Sequence, residues 1–143
     1  MPILLRTWRT SLRARLDRAR VQIRVSNFGL VIRLDPLITR LPDLALFIRS
    51  NVVEKDGYIH SAPELVVEVL SPANTRAKRA GKLKDYESLG VPEVWVVSPE
   101  ARTVEVLLLE NGELRTKAIL GEGGLTPTKF PEAAIDVAAI WPK

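Results

Sequence analysis

Three ionisable side chains lie in segments that are otherwise apolar or helical, and their types could do chemistry together. Glu68 interrupts the run PELVVEVLSP at residues 63–72, Asp43 follows Pro42 at the start of a second apolar run, and Lys82 lies in the KLKDY segment. An isolated carboxylate in an apolar strand costs several kcal/mol unless a cation or hydrogen-bond donors meet it. Glu68 therefore requires a partner.

If the strands that carry Asp43 and Glu68 pair, both carboxylates can point into one cleft. Two carboxylates at such a short distance repel each other unless a divalent cation binds between them, and hard oxygen ligands favour Mg²⁺. Lys82 would offset the remaining negative charge and could hold a water molecule. Such a set of side chains suits metal-assisted hydrolysis of a phosphodiester.

A purely structural interpretation is also open for each residue alone. Glu68 could pair with an arginine in a mixed sheet, Asp43 could cap a strand end, and Lys82 could be a surface lysine. The spacing does not decide between the two interpretations.

The elements around Glu68 predict how these residues are positioned. The apolar pattern predicts a strand at 64–70, a helix that ends near Leu89 before a glycine and a proline, and a second buried strand at 93–98. Ser71 followed by proline, or Asn74, could cap the helix. Strand, helix and strand in this order imply a right-handed parallel crossover.

The remaining pattern completes a mixed sheet flanked by helices, of the α/β or α+β class, in one domain. Further predicted elements are an amphipathic helix at 7–19, strands at 21–25, 28–34 and 41–49, a connector at 51–62 with a turn at Asp56–Gly57, a hairpin turning at Asn111–Gly112, and a short helix or turn in the tail. A hairpin is plausible between the strands at 21–25 and 28–34.

Composition excludes several classes of chemistry. The 143 residues are 46% hydrophobic and 27% charged, which is typical of a globular domain. The sequence has no cysteine and one histidine, His60, so disulfides, thiolate sites and His-based metal clusters within one chain are excluded. No apolar stretch approaches the roughly 20 residues of a membrane helix and no signal peptide is evident, so we expect a cytoplasmic protein.

Positive charge is concentrated in two predicted helices, although the net charge is only +4. The first carries Arg6, Arg9, Arg13, Arg15, Arg18 and Arg20, and the second carries Arg76, Lys78, Arg79, Lys82 and Lys84. Two basic helices suit a polyanion such as nucleic acid, and solvated helix faces are the alternative.

The residues from Gly57 to Val106 resemble the Uma2 family, the DUF820 group of restriction endonucleases, which has the PD-(D/E)XK nuclease fold. The matching pieces are the Pro42–Asp43 pair, ELVVEVLSP around Glu68, the Lys82 and Tyr86 pair, and GVPEVW. Each piece is short, and their combination and order carry the resemblance, which extends over roughly residues 20–142.

The resemblance implies a DNA endonuclease that uses Mg²⁺ or Mn²⁺, with Asp43 and Glu68 as metal ligands. The position two after Glu68, where the superfamily motif has lysine, is Leu70, so the resemblance assigns that role to Lys82. Lys84 is the competitor, but it lies about 200° farther round a helix.

Two further residues are possible auxiliaries in this family pattern, Glu64 and Tyr86. Ser98 stands where the family usually has Asp, at a position we expect to be structural. The resemblance also implies a homodimer. Because the N-terminal region is short for the family and Asp17 is the only acid in its helix, a nuclease-fold module that only binds nucleic acid or a protein is the alternative.

Overall fold

The computed structural model describes residues 3–73 and 75–142 and has a central mixed sheet. Its helices and strands are α1 Ile3–Arg13, β1 Val21–Val25, β2 Gly29–Leu34, β3 Leu37–Arg40, β4 Leu44–Ile48, β5 Glu54–Lys55, β6 Tyr58–Ile59, β7 Leu65–Val69, α2 Arg76–Leu89, β8 Glu93–Ser98, β9 Thr103–Glu110, β10 Glu113–Leu120, β11 Gly124–Leu125 and β12 Ile135–Asp136. Neither α-helix in the described ranges has the length and apolar character that a membrane span needs.

The central sheet has the strand order β1-β4-β7-β8-β9-β10. Strands β7 and β8 are parallel, and α2 connects them, whereas the other neighbouring pairs are antiparallel. The parallel strand, helix and strand unit is therefore confirmed, as is the mixed α/β class. A second sheet has the order β3-β2-β6-β5.

Two hydrophobic cores lie on opposite faces of the central sheet, because side chains alternate along each strand. Val67 of β7 belongs to the core that contains α1 and the C-terminal segment. Val66, its neighbour, belongs to the core that contains Tyr86 of α2 and Leu30 of β2. Glu68 has the same parity as Val66 and so lies on the α2 face.

The first helix starts and ends earlier than the predicted 7–19, at Ile3–Arg13. Leu16 is still buried, as its spacing predicts, but it lies in a turn. The Asp17 side chain accepts a hydrogen bond from the backbone N–H of Ala19 at 2.9 Å. Local bonds of this kind compete with helical hydrogen bonds, so the chain turns here and enters β1.

The predicted hairpin between β1 and β2 is wrong. β1 pairs with β4 and β2 pairs with β3, in different sheets. Ser26 and Asn27 do form a tight connection, with φ of 50° and 55°, but the Ser26 N–H bonds to the Asp43 carbonyl at 3.0 Å. The turn thus directs β2, with its buried Leu30, to the second core. The strand β3 was not predicted; Asp35 and Pro36 form the turn that joins it to β2.

The cap of α2 also differs from the prediction. Thr75 is the N-cap, and its hydroxyl accepts a hydrogen bond from the Lys78 N–H at 3.1 Å. Ser71 precedes the helix by several residues, and Asn74 lies outside the described residues. The predicted end is confirmed, since Gly90 adopts φ 85° in the left-handed conformation that glycine tolerates best.

Candidate active site

Asp43 and Glu68 face each other across two paired strands. Antiparallel pairing of β4 and β7 places Leu44 opposite Val67, and one step farther along the same register places Asp43 opposite Glu68. An Asp43 carboxylate oxygen accepts a hydrogen bond from the Val69 N–H at 2.7 Å. The sequence-predicted carboxylates therefore meet at one end of the β4–β7 pair.

Glu68 is buried, with 6% of its surface exposed, and two side chains of α2 contact its carboxylate. The Tyr86 hydroxyl donates a hydrogen bond to Oε1, and the Lys82 Nζ lies 3.6 Å from Oε2. Lys82 and Tyr86 are four residues apart, so they lie on one face of the helix. The structure thus brings Asp43, Glu68, Lys82 and Tyr86 together.

Burial raises the pKa of Glu68 from 4.5 to about 7. The hydrogen bond from Tyr86 and the charge of Lys82 oppose this rise. Asp43 adds to it, because it lies close enough to repel ionised Glu68 and to share a hydrogen bond with the protonated form. Near neutral pH Glu68 is therefore close to the midpoint between its protonated and ionised forms.

Tyr86 is held as a hydrogen-bond donor. Its side chain is fully buried, and burial together with the neighbouring Glu68 raises its pKa well above the usual range. The phenol therefore keeps its proton and directs it at Glu68, which fixes the orientation of that carboxylate.

A cleft of about 780 Å³ opens beside these side chains. Asp43 and Lys82 line it, together with residues that follow β7 and β8 and with Leu4 and Leu5 of α1. Glu68 instead borders a smaller cavity beneath α2, which Lys82 also lines. Lys82 thus lines both spaces, and its Nζ lies near the buried carboxylate.

The donor set fits a hard divalent cation that keeps most of its ligands from solvent or substrate. An Asp43 oxygen accepts the Val69 N–H, and the two Glu68 oxygens face the Tyr86 hydroxyl and Lys82 Nζ. Because a carboxylate has about four lone-pair sites, these contacts leave acceptor capacity for a cation. No group of three or more Asp, Glu, His or Cys side chains gathers within residues 3–73 and 75–142. Mg²⁺ is commonly held by one or two carboxylates plus water and phosphate oxygens.

The other candidates from the sequence lie outside this cluster. Lys84 is exposed, on a different side of α2 from Lys82. Glu64 bonds through its N–H to the Leu46 carbonyl, at the opposite end of the strand pair. It lies about 13 Å along β7 from Glu68, at about 3.3 Å per residue. The hydroxyl of Ser98 accepts a hydrogen bond from Ala101 N–H at 3.2 Å within a turn.

Two further charged residues with structural contacts were not singled out from the sequence. Arg40 of β3 forms an ion pair of 2.6 Å with Asp85 of α2 and thereby fastens the second sheet to the helix that carries Lys82. Glu93 is 3% exposed and accepts hydrogen bonds from Trp95 Nε1 and the Thr128 N–H, each at 2.8 Å. The sequence signal for Glu93 was its place in the GVPEVW segment. Its hydrogen bond from the Thr128 N–H anchors the C-terminal segment to β8.

Comparisons with known proteins identify the family and the fold. A model of the Uma2 family, described as "Putative restriction endonuclease", matches residues 4–138. A crystal structure of a "putative nuclease belonging to DUF820" from Anabaena variabilis ATCC 29413 is similar with a TM-score of 0.78 and 16% identity, over 97% of this chain and 78% of that chain. At this identity the likeness shows a shared fold. No curated protein matches the sequence. Because the family match spans nearly the whole chain, this protein belongs to the Uma2 family.

Proposed function

We propose that this protein is a Mg²⁺- or Mn²⁺-dependent endonuclease that hydrolyses DNA phosphodiester bonds. The observation that carries the proposal is the pairing of Asp43 with the buried Glu68 beside a cleft, with Lys82 3.6 Å from Glu68. A bound divalent cation would supply charge stabilisation at the phosphoryl oxygens and lower the pKa of water.

The chain's own side chains have separate parts in this proposal. Asp43 and Glu68 hold the cation, and the Val69 N–H and the Tyr86 hydroxyl keep the two carboxylates in position. Lys82 donates hydrogen bonds from the cleft wall, where it orients the attacking water and offsets negative charge. An ammonium group donates and does not accept, so Lys82 positions the water rather than taking its proton.

DNA is the substrate that the family description and the charge distribution favour. The family is named for restriction endonucleases, and the chain carries a net charge of +4. Basic residues Lys78, Arg79 and Lys82 surround the cavity that Glu68 borders. Cations at this place would attract a phosphate backbone toward the carboxylates.

Plasmid nicking tests the proposal. The wild-type protein should nick supercoiled plasmid with Mg²⁺ or Mn²⁺ and not in EDTA, whereas Glu68→Gln and Asp43→Asn should reduce nicking at least about 100-fold. Glu64→Gln is the matched control, since it removes a carboxylate from the far end of β7. Equal nicking by Glu68→Gln and wild type would contradict the assignment.

A second candidate is a nucleic-acid-binding module without catalysis. It is favoured by one observation, namely that both Glu68 carboxylate oxygens face side chains of the protein, Lys82 and Tyr86. This candidate predicts salt-sensitive DNA binding, no metal-dependent cleavage, and a melting temperature that Mn²⁺ leaves unchanged. Metal-dependent stabilisation that Glu68→Gln abolishes would exclude it.

A further inference from the structure

The arginines of α1 form one stripe along the helix. At about 100° per residue, Arg6, Arg9 and Arg13 fall within about 60° of one another. Arg18, just after the helix, extends the stripe. The pKa of Arg13 is lowered by burial and by the charges of Arg9 and Arg18, so these guanidinium groups are close enough to repel one another.

The arginines of the stripe have no ion-pair partner among the residues that the structure describes. Within residues 3–73 and 75–142, none of these four arginines forms an ion pair, although seven ion pairs form elsewhere. Like charges placed together without counter-charges destabilise a folded chain, so an external anion would relieve the repulsion. The stripe is therefore complementary to a polyanion.

The apolar side of α1 is not available to a partner. Leu4, Leu5, Trp8 and Leu12 are all buried in the core of the central sheet. An amphipathic helix that binds a membrane surface needs its apolar face free to enter the lipid. The buried face thus disfavours a membrane and leaves a rigid row of guanidinium groups, which bind phosphates well.

The helix also leads away from the cleft. Leu4 and Leu5 line the cleft with Asp43 and Lys82, and Arg6 is the next residue. From Arg6 to Arg13 the helix rises about 10 Å, which corresponds to about three phosphates of one DNA strand when these are counted along the DNA axis at about 3.4 Å each. A strand that occupies the cleft can therefore continue along α1.

We infer that the stripe of Arg6, Arg9, Arg13 and Arg18 binds the phosphate backbone of the DNA beyond the cleft. This inference rests on the proposed function for the identity of the substrate. The contacts are to phosphates, so they add affinity without sequence preference and make binding sensitive to salt.

Salt-dependent binding to a labelled 25-base-pair duplex tests the inference. The triple variant Arg9→Gln, Arg13→Gln and Arg18→Gln should bind at least about 10-fold more weakly, and its slope of log affinity against log salt should be smaller by about two to three. The control Arg33→Gln, Arg115→Gln and Lys117→Gln removes the same charge from exposed strand positions and should change the slope by less than about one. Circular dichroism and melting temperature confirm folding.

Hydrolysis of bis(p-nitrophenyl) phosphate separates this inference from the proposed function. This small diester is too short to extend from the cleft to Arg9, Arg13 and Arg18, so the triple variant should hydrolyse it within about twofold of wild type. Equal DNA affinity and salt slope for the triple variant and the control would overturn the inference even if wild type cleaves DNA. A lowered slope without any hydrolysis by wild type would support the surface and contradict the nuclease proposal. Weakened binding to anionic vesicles with unchanged DNA binding would also overturn it.

Discussion

The two basic helices look alike in sequence and differ in what their charges contact. In α2, Lys82 and Arg79 turn toward acids of the central sheet, Glu68 and Glu105. In α1, the arginines that form the stripe meet no carboxylate among the described residues. A cluster of basic residues in the sequence therefore does not show whether their charges are neutralised inside the fold or presented to a partner.

The physical reason lies in which face of each helix is apolar. The apolar side chains of α1 form one continuous buried face, so its arginines all remain outside. On α2 Tyr86 is buried, and the cations on the same side lie over acidic positions of β7 and β9. We expect substitutions in α2 to alter the site and stability, and substitutions in α1 to alter binding.

Removing Lys82 should have the largest effect. Lys82→Met keeps most of the side-chain volume but removes the ammonium beside Glu68, and we expect plasmid nicking to fall by about 100- to 1,000-fold. Lys84→Met is the matched control, since Lys84 is exposed on another side of the same helix. Equal nicking by the two variants would contradict the distinction between cations that contact acids inside the fold and cations that are exposed to solvent.

The pH dependence of stability should be the next largest effect. The folded pKa of Glu68 is about 7, raised from 4.5, so between these values the folded protein holds a proton that the unfolded chain has released. Stability from this group is fully present below the lower value and is lost as pH rises to about 7, by on the order of 3 kcal/mol. Urea unfolding at several pH values measures the loss.

Glu68→Gln should lack this contribution, because glutamine does not titrate, so its stability should decline less than that of wild type as pH rises from 4.5 to 7. Glu64→Gln should follow wild type. Parallel curves for Glu68→Gln and wild type would show that Glu68 titrates as an ordinary carboxyl group.

Tyr86→Phe should weaken metal binding by about 10- to 100-fold, the usual range for the loss of a partner that orients a metal ligand. The ring remains to fill the core, so only the hydrogen bond to Glu68 is lost. Calorimetric titration with Mn²⁺ measures the change, and Tyr58→Phe, at a more exposed tyrosine, is the control. Unchanged Mn²⁺ affinity in Tyr86→Phe would remove Tyr86 from the site.

The smallest effect should be the coupling between Arg79 and Glu105. Both side chains are partly exposed, at 35% and 19%, so a double-mutant cycle should give about 0.2–1 kcal/mol.

Arg13→Gln should leave the free energy of unfolding within about 0.5 kcal/mol of wild type or raise it, because it relieves repulsion among arginines. A loss of more than about 1 kcal/mol in Arg13→Gln would mean that the stripe has a structural role.

The face of each strand that carries Asp43 or Glu68 could be predicted from the sequence, because side chains alternate and these residues have the parity of Ala45 and Val66. The pairing of β4 with β7 in this register could not be predicted, because both strands are apolar on both faces and alternation then selects no register. Tyr86 entered only through the resemblance to the family. Its hydrogen bond to Glu68 depends on how α2 is rotated over the sheet, and local pattern does not determine this rotation.

The errors came from places where local signals compete with tertiary pairing. Ser26 and Asn27 favour a tight turn, and a turn does form, but β1 pairs with β4 because the long-range partner completes the central sheet. The sequence also could not show that the stripe arginines form no ion pair among the described residues. Ion-pair partners can come from distant parts of the sequence, as Glu105 and Glu68 do for Arg79 and Lys82.

Crystals grown with Mn²⁺ test the central claim most directly, through the anomalous signal of the metal. We expect one peak between β4 and β7, within about 2.2 Å of a carboxylate oxygen of Asp43 and of Glu68, and we expect Glu68→Gln to lose this peak. A metal bound elsewhere in the chain, or no peak beside a Glu68 that still contacts Lys82 and Tyr86, would contradict it.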